Sequence, residues 1–166
     1  MSYGEFVKAI LDAVVVQLKN VTELNTVAIS EPARLNTVRM PAAYVLLDGD
    51  TISRKTRLLE EHQLAVVVSV LRTVKSTKHG DVELTQGMLD GLTLVGSCYD
   101  TLISDRTLGG AAVNMDIEVV DYGRAVMDTA VVFWGEMHLA IKANYAPTKP
   151  VDGTKIGKVY TDGIIE

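Results

Sequence analysis

The chain has 166 residues, 48% of them hydrophobic and 22% charged, with a formal net charge of −5 at pH 7. That length suits a single domain able to bury roughly 70% of the surface its unfolded chain exposes, and the apolar leaning leaves surplus surface for partner subunits. The acidic balance argues against a duplex-DNA binder that neutralises phosphates with a basic face. Apolar runs such as LAVVVSVL (64–71) fall far short of the ~20 residues of a bilayer span, and the one cysteine excludes an internal disulfide and paired-Cys metal motifs.

The N-terminal stretch lacks a basic start and a small-residue cleavage site, so it reads as part of the fold, with a cytoplasmic origin expected. In residues 3–19, Phe6, Val7, Ile10, Leu11, Val14, Val15 and Leu18 form one stripe of a 3.6-residue repeat, which predicts an amphipathic first helix. The valines at 14–16 lower its intrinsic propensity, so its stability has to come from packing on a sheet. TVAISEPARLNTVRMP (26–41) predicts a short strand and a connection bounded by Pro32 and Pro41, because each proline holds the residue before it extended. AAYVLL (42–47) is a strand-length apolar run that meets DGD (48–50), where a turn or bulge is expected.

LEEHQLAVVVSVLRTV (59–74) carries apolar residues on both parities and predicts a central strand covered on both sides. After the break at 76–81, Leu84, Met88, Leu92, Val95, Tyr99 and Leu102 recur at helical spacing and predict a second long helix over 82–104, with Asp81 as N-cap. Gly87, Gly91 and Gly96 weaken that helix and allow close approach to the sheet. GAAVNMDIEVVDYG (110–123) alternates as a strand with one wet face, DYG (121–123) is expected to turn, and 124–143 predicts an antiparallel partner with Met127, Val131, Phe133, Met137, Leu139 and Ile141 on its apolar face. From 145 to 166 two prolines and three glycines break every period, and a C-terminal tail or arm is expected beyond a domain over 1–144. The order predicts an α+β domain: a mainly antiparallel sheet with two long helices on one face, its other face open to oligomerisation.

LLDGDTISRKTRLLEEH (46–62) gathers Asp48, Asp50, Glu60, Glu61 and His62, residue types that bind hard and borderline cations. DGD lacks the remaining oxygen ligands and the terminal glutamate of a calcium loop, and no HExxH or comparable cluster arises among the three histidines, 62, 79 and 138. The segment reads instead as a charge-mixed hairpin. His138 with Glu136 and Asp128 makes a loose acid–base set, GxSxG is missing, LGGAAV (108–113) precedes a strand rather than a helix, and Cys98 reads as a small buried residue. No catalytic residue, metal or cofactor is expected. A metal-dependent hydrolase built on the acidic loop stands as the enzymatic alternative.

The helix FVKAILDAVVVQLKN, the short strand before EPARLNTVRMPAAYVLL, the strand HQLAVVVSVL, the helix LTQGMLDGLTLVGSCYDTLI and the closing pair VNMDIEVV and AVVFWGEMHLAIKAN together resemble the tail terminator (tail completion) proteins of long-tailed phages and related viruses. The resemblance spans about residues 3–144. It implies a virion structural protein, located in the tail or neck and in the host cytoplasm during assembly. Such a protein forms a hexameric ring that caps the tail tube, stops its polymerisation and meets the head–tail connector, with DNA only passing through the lumen. A tail tube or head-closure protein of the same virion is the structural alternative. Asp48, Asp50, Arg54, Lys55 and Arg57 are the expected contact loop toward another subunit or partner, and no membrane partner is expected.

Overall fold

The computed structural model describes residues 1–30, 39–56, 59–74, 81–127 and 130–147. Its elements are α1 (Tyr3–Leu18), β1 (Thr26–Ile29), β2 (Ala42–Thr56), β3 (Leu59–Val74), α2 (Asp81–Ser104), β4 (Asn114–Met127) and β5 (Ala130–Tyr145). The strands form one sheet in the order β1-β2-β3-β5-β4, with β1 parallel to β2 and every other pair antiparallel. This is the mixed, mainly antiparallel fold that the element order implies. The expected arm falls mostly outside the described residues; the part nearest the domain, Tyr145, is the last residue of β5.

Helix α1 begins where Ser2 and Glu5 cap each other. The Ser2 hydroxyl accepts from the Glu5 backbone N–H and the Glu5 carboxylate accepts from the Ser2 N–H, at 3.3 and 2.6 Å, so two donors that a helix start would leave unpaired are satisfied together. The same bonds, from the Ser2 backbone first, hold the Glu5 carboxyl below the usual range. The apolar stripe of α1 and, from α2, Leu94, Val95, Cys98 and Leu102 enter one core with Val45, Leu64, Val66, Val68, Val70, Phe133, Met137 and Ile141, whereas Leu92, expected on the buried stripe, is exposed. Both helices therefore cover one face of the sheet. On the opposite face Ala42, Tyr44, Leu71 and Val132 form a smaller buried cluster, joined by Ala28, Met40 and Trp134, while Gln63, Ala65 and Lys142 farther along the strands are exposed. The central strand β3 is thus apolar on both faces, and among the described residues helices cover one of them.

The turn or bulge expected at DGD is a bulge within a continuing strand, and the turn expected at DYG is strand. The chain bulges between Leu47 and Gly49 and β2 continues to Thr56, which pairs with Leu59; residues 57–58 lie outside the described residues. DYG continues as well, and β4 runs to Met127. Gly123 lies opposite Trp134 and Tyr122 opposite Gly135, and a Cβ on Gly123 would collide with the indole. Gly123, which reads as a turn signal, is a vacant place for the facing indole ring. The predicted start of β4 at 110 moves to Asn114, because 105–113 is a turn in which Leu108, Gly109 and Gly110 take φ of 53, 66 and 89°.

That turn is organised by Asp105. Its carboxylate accepts from the Thr107 hydroxyl at 2.6 Å, the Thr107 N–H at 3.0 Å and the Gly109 N–H at 2.7 Å, while its backbone carbonyl accepts from the Gln17 amide of α1 at 2.8 Å. The Thr107 hydroxyl above all, with the Gly109 N–H, holds the Asp105 carboxyl below its ordinary 3.8. A carboxylate with a lowered folded pKa contributes stability above its unfolded pKa and loses it as pH falls through the lower folded value. Asp105→Ala should therefore lower the melting temperature by a constant amount near neutrality, and the gap between the two proteins should narrow as the pH is taken below about 4. A gap that stays constant to pH 2 would show that the charge on Asp105 contributes nothing.

Candidate functional site

The charged residues of the β2–β3 hairpin divide by strand parity. Side chains two apart share a face, so 60 and 62 point one way and 61 the other, and the bulge at Leu47/Gly49 resets the phase so that Asp50 turns inward. On the helix face, Asp50 Oδ2 lies 2.6 Å from His62 Nδ1 and accepts from the Tyr3 hydroxyl at 2.8 Å. The Glu60 carboxylate approaches the other imidazole nitrogen to 3.6 Å, too long for a hydrogen bond. His62 is completely buried, and the rings of Phe6, Tyr3 and Tyr145 surround it with centroids 5.2, 5.6 and 5.7 Å away. Tyr145 in turn donates to the Met1 carbonyl at 3.3 Å.

The hydrogen bond from Tyr3 to a carboxylate, then burial, pushes the Tyr3 hydroxyl up from its ordinary 10.0. An imidazole sealed behind three rings cannot receive a substrate. It ties the start of α1, the base of the hairpin and the end of β5 to one another. Asp50, expected among the outward contact residues, is committed to this inward network.

On the opposite face Glu61 bridges two lysines: Lys55 Nζ pairs with Oε2, and Lys142 Nζ lies 3.1 Å from Oε1. Hydrogen bonding to Lys55 first, and then to Lys142, holds the Glu61 carboxyl below the usual range. Both lysines stay about half exposed, so the set is a solvated chain of charges. Asp48 stands exposed at the bulge, Arg54 lies in β2 opposite Glu60, and Arg57 is outside the described residues. The five metal-type residues of 48–62 thus fall on two faces and a bulge. Among the described residues no group of three His, Cys, Asp or Glu side chains is placed to hold a metal ion.

The other chemical candidates separate similarly. His138 Nε2 lies 3.8 Å from Asp121 on the open face, and Glu136 accepts from the Ser69 hydroxyl at 3.5 Å, so the two do not act on one another; Asp128 and His79 are outside the described residues. Cys98 is buried in the core, and desolvation pushes its thiol up to about 12, which removes the thiolate at neutral pH. Among the described residues no helix is long and apolar enough to cross a membrane.

Beyond the internal network, the hairpin makes an arm. Ile52, opposite His62 on the helix face, is already 54% exposed, so the strands outrun the start of α1. β1 pairs with β2 only as far as Val45; from Leu46 to Lys55 no strand among the described residues lies on that side of β2. At the far end of the sheet the outer edge of β4 is likewise without a strand. Sequence reasoning named the hairpin and a sheet edge but missed the aromatic box. Tyr3 and Phe6 at one end of the chain and Tyr145 near the other carry no local pattern that joins them to His62.

No protein-family model matches the chain, and no curated protein matches it. Among solved structures, a chain from one described as the virion of a native gene transfer agent (GTA) particle aligns at a TM-score of 0.35 and 12% identity, over 80% of this chain and 94% of that one.

Proposed function

We propose that this chain is a structural protein of a phage-like virion that forms a six-membered ring, caps the tail tube, ends its polymerisation and joins it to the head connector. The observation that carries the reading is the sheet itself: among the described residues no strand lies beside β4 or beside the hairpin part of β2, and a charged arm stands at one of these edges. A subunit with two different open edges associates head to tail, and a head-to-tail contact whose rotation closes makes a ring. The tail-terminator identity rests on the resemblance in element order. Asp48, Arg54, Lys55 and Arg57 are the contact residues in this reading, with Asp50 holding the base of the arm.

Light scattering of the purified protein combined with negative-stain imaging tests it. Discrete six-membered rings are expected. Long tubes would instead identify a tail tube protein, and a monomer that persists at high concentration would overturn the reading.

A further inference from the structure

The ring reading leaves open which surfaces meet, and on that reading we infer that β2 of one copy pairs with β4 of the next as antiparallel neighbours, Gly49–Arg54 against Val119–Ala125. Each edge contains a bulge, between Leu47 and Gly49 on β2 and between Ile117 and Val119 on β4. Past its bulge each strand is regular, over a length of roughly 20 Å on either side. The two stretches match in length. Both expose apolar side chains, Ile52 at 54% on β2 and Val119 and Tyr122 at 47% and 49% on β4. A strand edge lacking a partner and bearing exposed Ile, Val and Tyr invites pairing with another chain.

Direction follows from the sheet. From β2 to β3, β3 to β5 and β5 to β4 the strand direction reverses three times, so β4 runs opposite to β2. A rotation that places the β4 edge of one copy beside the β2 edge of the next keeps these directions and makes the junction antiparallel. The two charge patterns then coincide. The basic end of β2, Arg54 and Lys55, lies beside Glu118, and the acidic end, at Asp48, lies beside Arg124. Asp48, Glu118 and Arg124 are exposed and make no ion pair among the described residues. β4 ends, at Met127, about where β1 takes over the edge of β2 at Val45. A parallel junction would place Glu118 near Asp48 and Arg124 near Arg54, like against like.

The test uses two charge reversals on the full chain, Glu118→Lys and the double change Arg54→Glu with Lys55→Glu. Each protein alone should need about tenfold or more higher concentration to assemble than the unaltered chain, with an unchanged far-UV circular dichroism spectrum. Mixed in equal amounts, the two should assemble again, because each junction then joins a basic edge to an acidic one. Assembly of the unaltered chain that neither reversal weakens, or weakening that mixing does not reverse, overturns the β2–β4 pairing and leaves the ring standing. An unaltered chain that stays monomeric at high concentration overturns both.

Discussion

His62→Ala is expected to cost about 3–5 kcal/mol of folding stability, because it removes the partner of a buried carboxylate and empties the centre of an aromatic box. Asp50 reaches the imidazole at 2.6 Å with its side chain only 9% exposed, and without His62 its remaining hydrogen bond is the one from Tyr3. The hole left among Phe6, Tyr3 and Tyr145 adds a packing loss. Urea denaturation gives the loss directly. Adding Asp50→Ala to His62→Ala should cost less than the two single changes summed, by about 1–3 kcal/mol, since the side chain that loses its hydrogen-bond partner is then gone as well. A loss below 1 kcal/mol for His62→Ala would mean that water reaches the pair, and additive costs would mean that the two side chains act independently.

Helix α2 contains two glycines expected to respond to alanine with opposite sign. A Cβ on Gly91 would stand 2.5 Å from the ring carbons of Phe133, which is wholly buried, whereas one on Gly96 would meet nothing within 4 Å. Overpacking the first site costs about 1–3 kcal/mol against a helix-propensity gain of about 1 kcal/mol, so Gly91→Ala should destabilise by up to about 2 kcal/mol. Gly96→Ala should stabilise by up to about 1 kcal/mol, since only the propensity gain remains. Thermal melts of the two variants, and of Gly91→Ala combined with Phe133→Leu, decide the matter. Equal shifts at 91 and 96 would show that the helix does not seat on Phe133, and recovery in the double variant identifies the ring as the obstacle.

Periodicity made the two helices and the central strand legible, because a stripe of buried residues every 3.6 positions or on alternate positions is a property of the chain alone. α1 from Tyr3 and α2 to Ser104 lie where the pattern puts them. The capping box of Ser2 and Glu5 was also present as S-x-x-E and would have set the first helix boundary. The strand ends were harder to read. DGD and DYG carry turn chemistry, yet long strand partners overrode it: β3 kept β2 extended past Gly49, and Trp134 needed the space that Gly123 leaves. The division of Asp50 and His62 from Glu61 and Lys55 required the phase of a bulge, which depends on the partner strand and not on the residues within it. The rings that enclose His62 come from the two ends of the described chain, and only the folded sheet brings them together.

The pairing of β3 with β5 has a consequence for how the molecule comes to exist. The β2–β3 and β4–β5 ladders each join consecutive strands and can form early from local contacts, while the seam between them sets Val74 beside Val131 and Glu60 beside Tyr145 across an intervening helix and strand. Bringing such distant segments together has to overcome loop-closure entropy before the new contacts compensate, so the seam is expected to form after the two hairpins. Until it closes, two hairpins with apolar inner strands remain exposed to other chains. In the ring proposed above, the order of seam closure and subunit contact would decide whether copies join by their outer edges or become entangled by their inner ones.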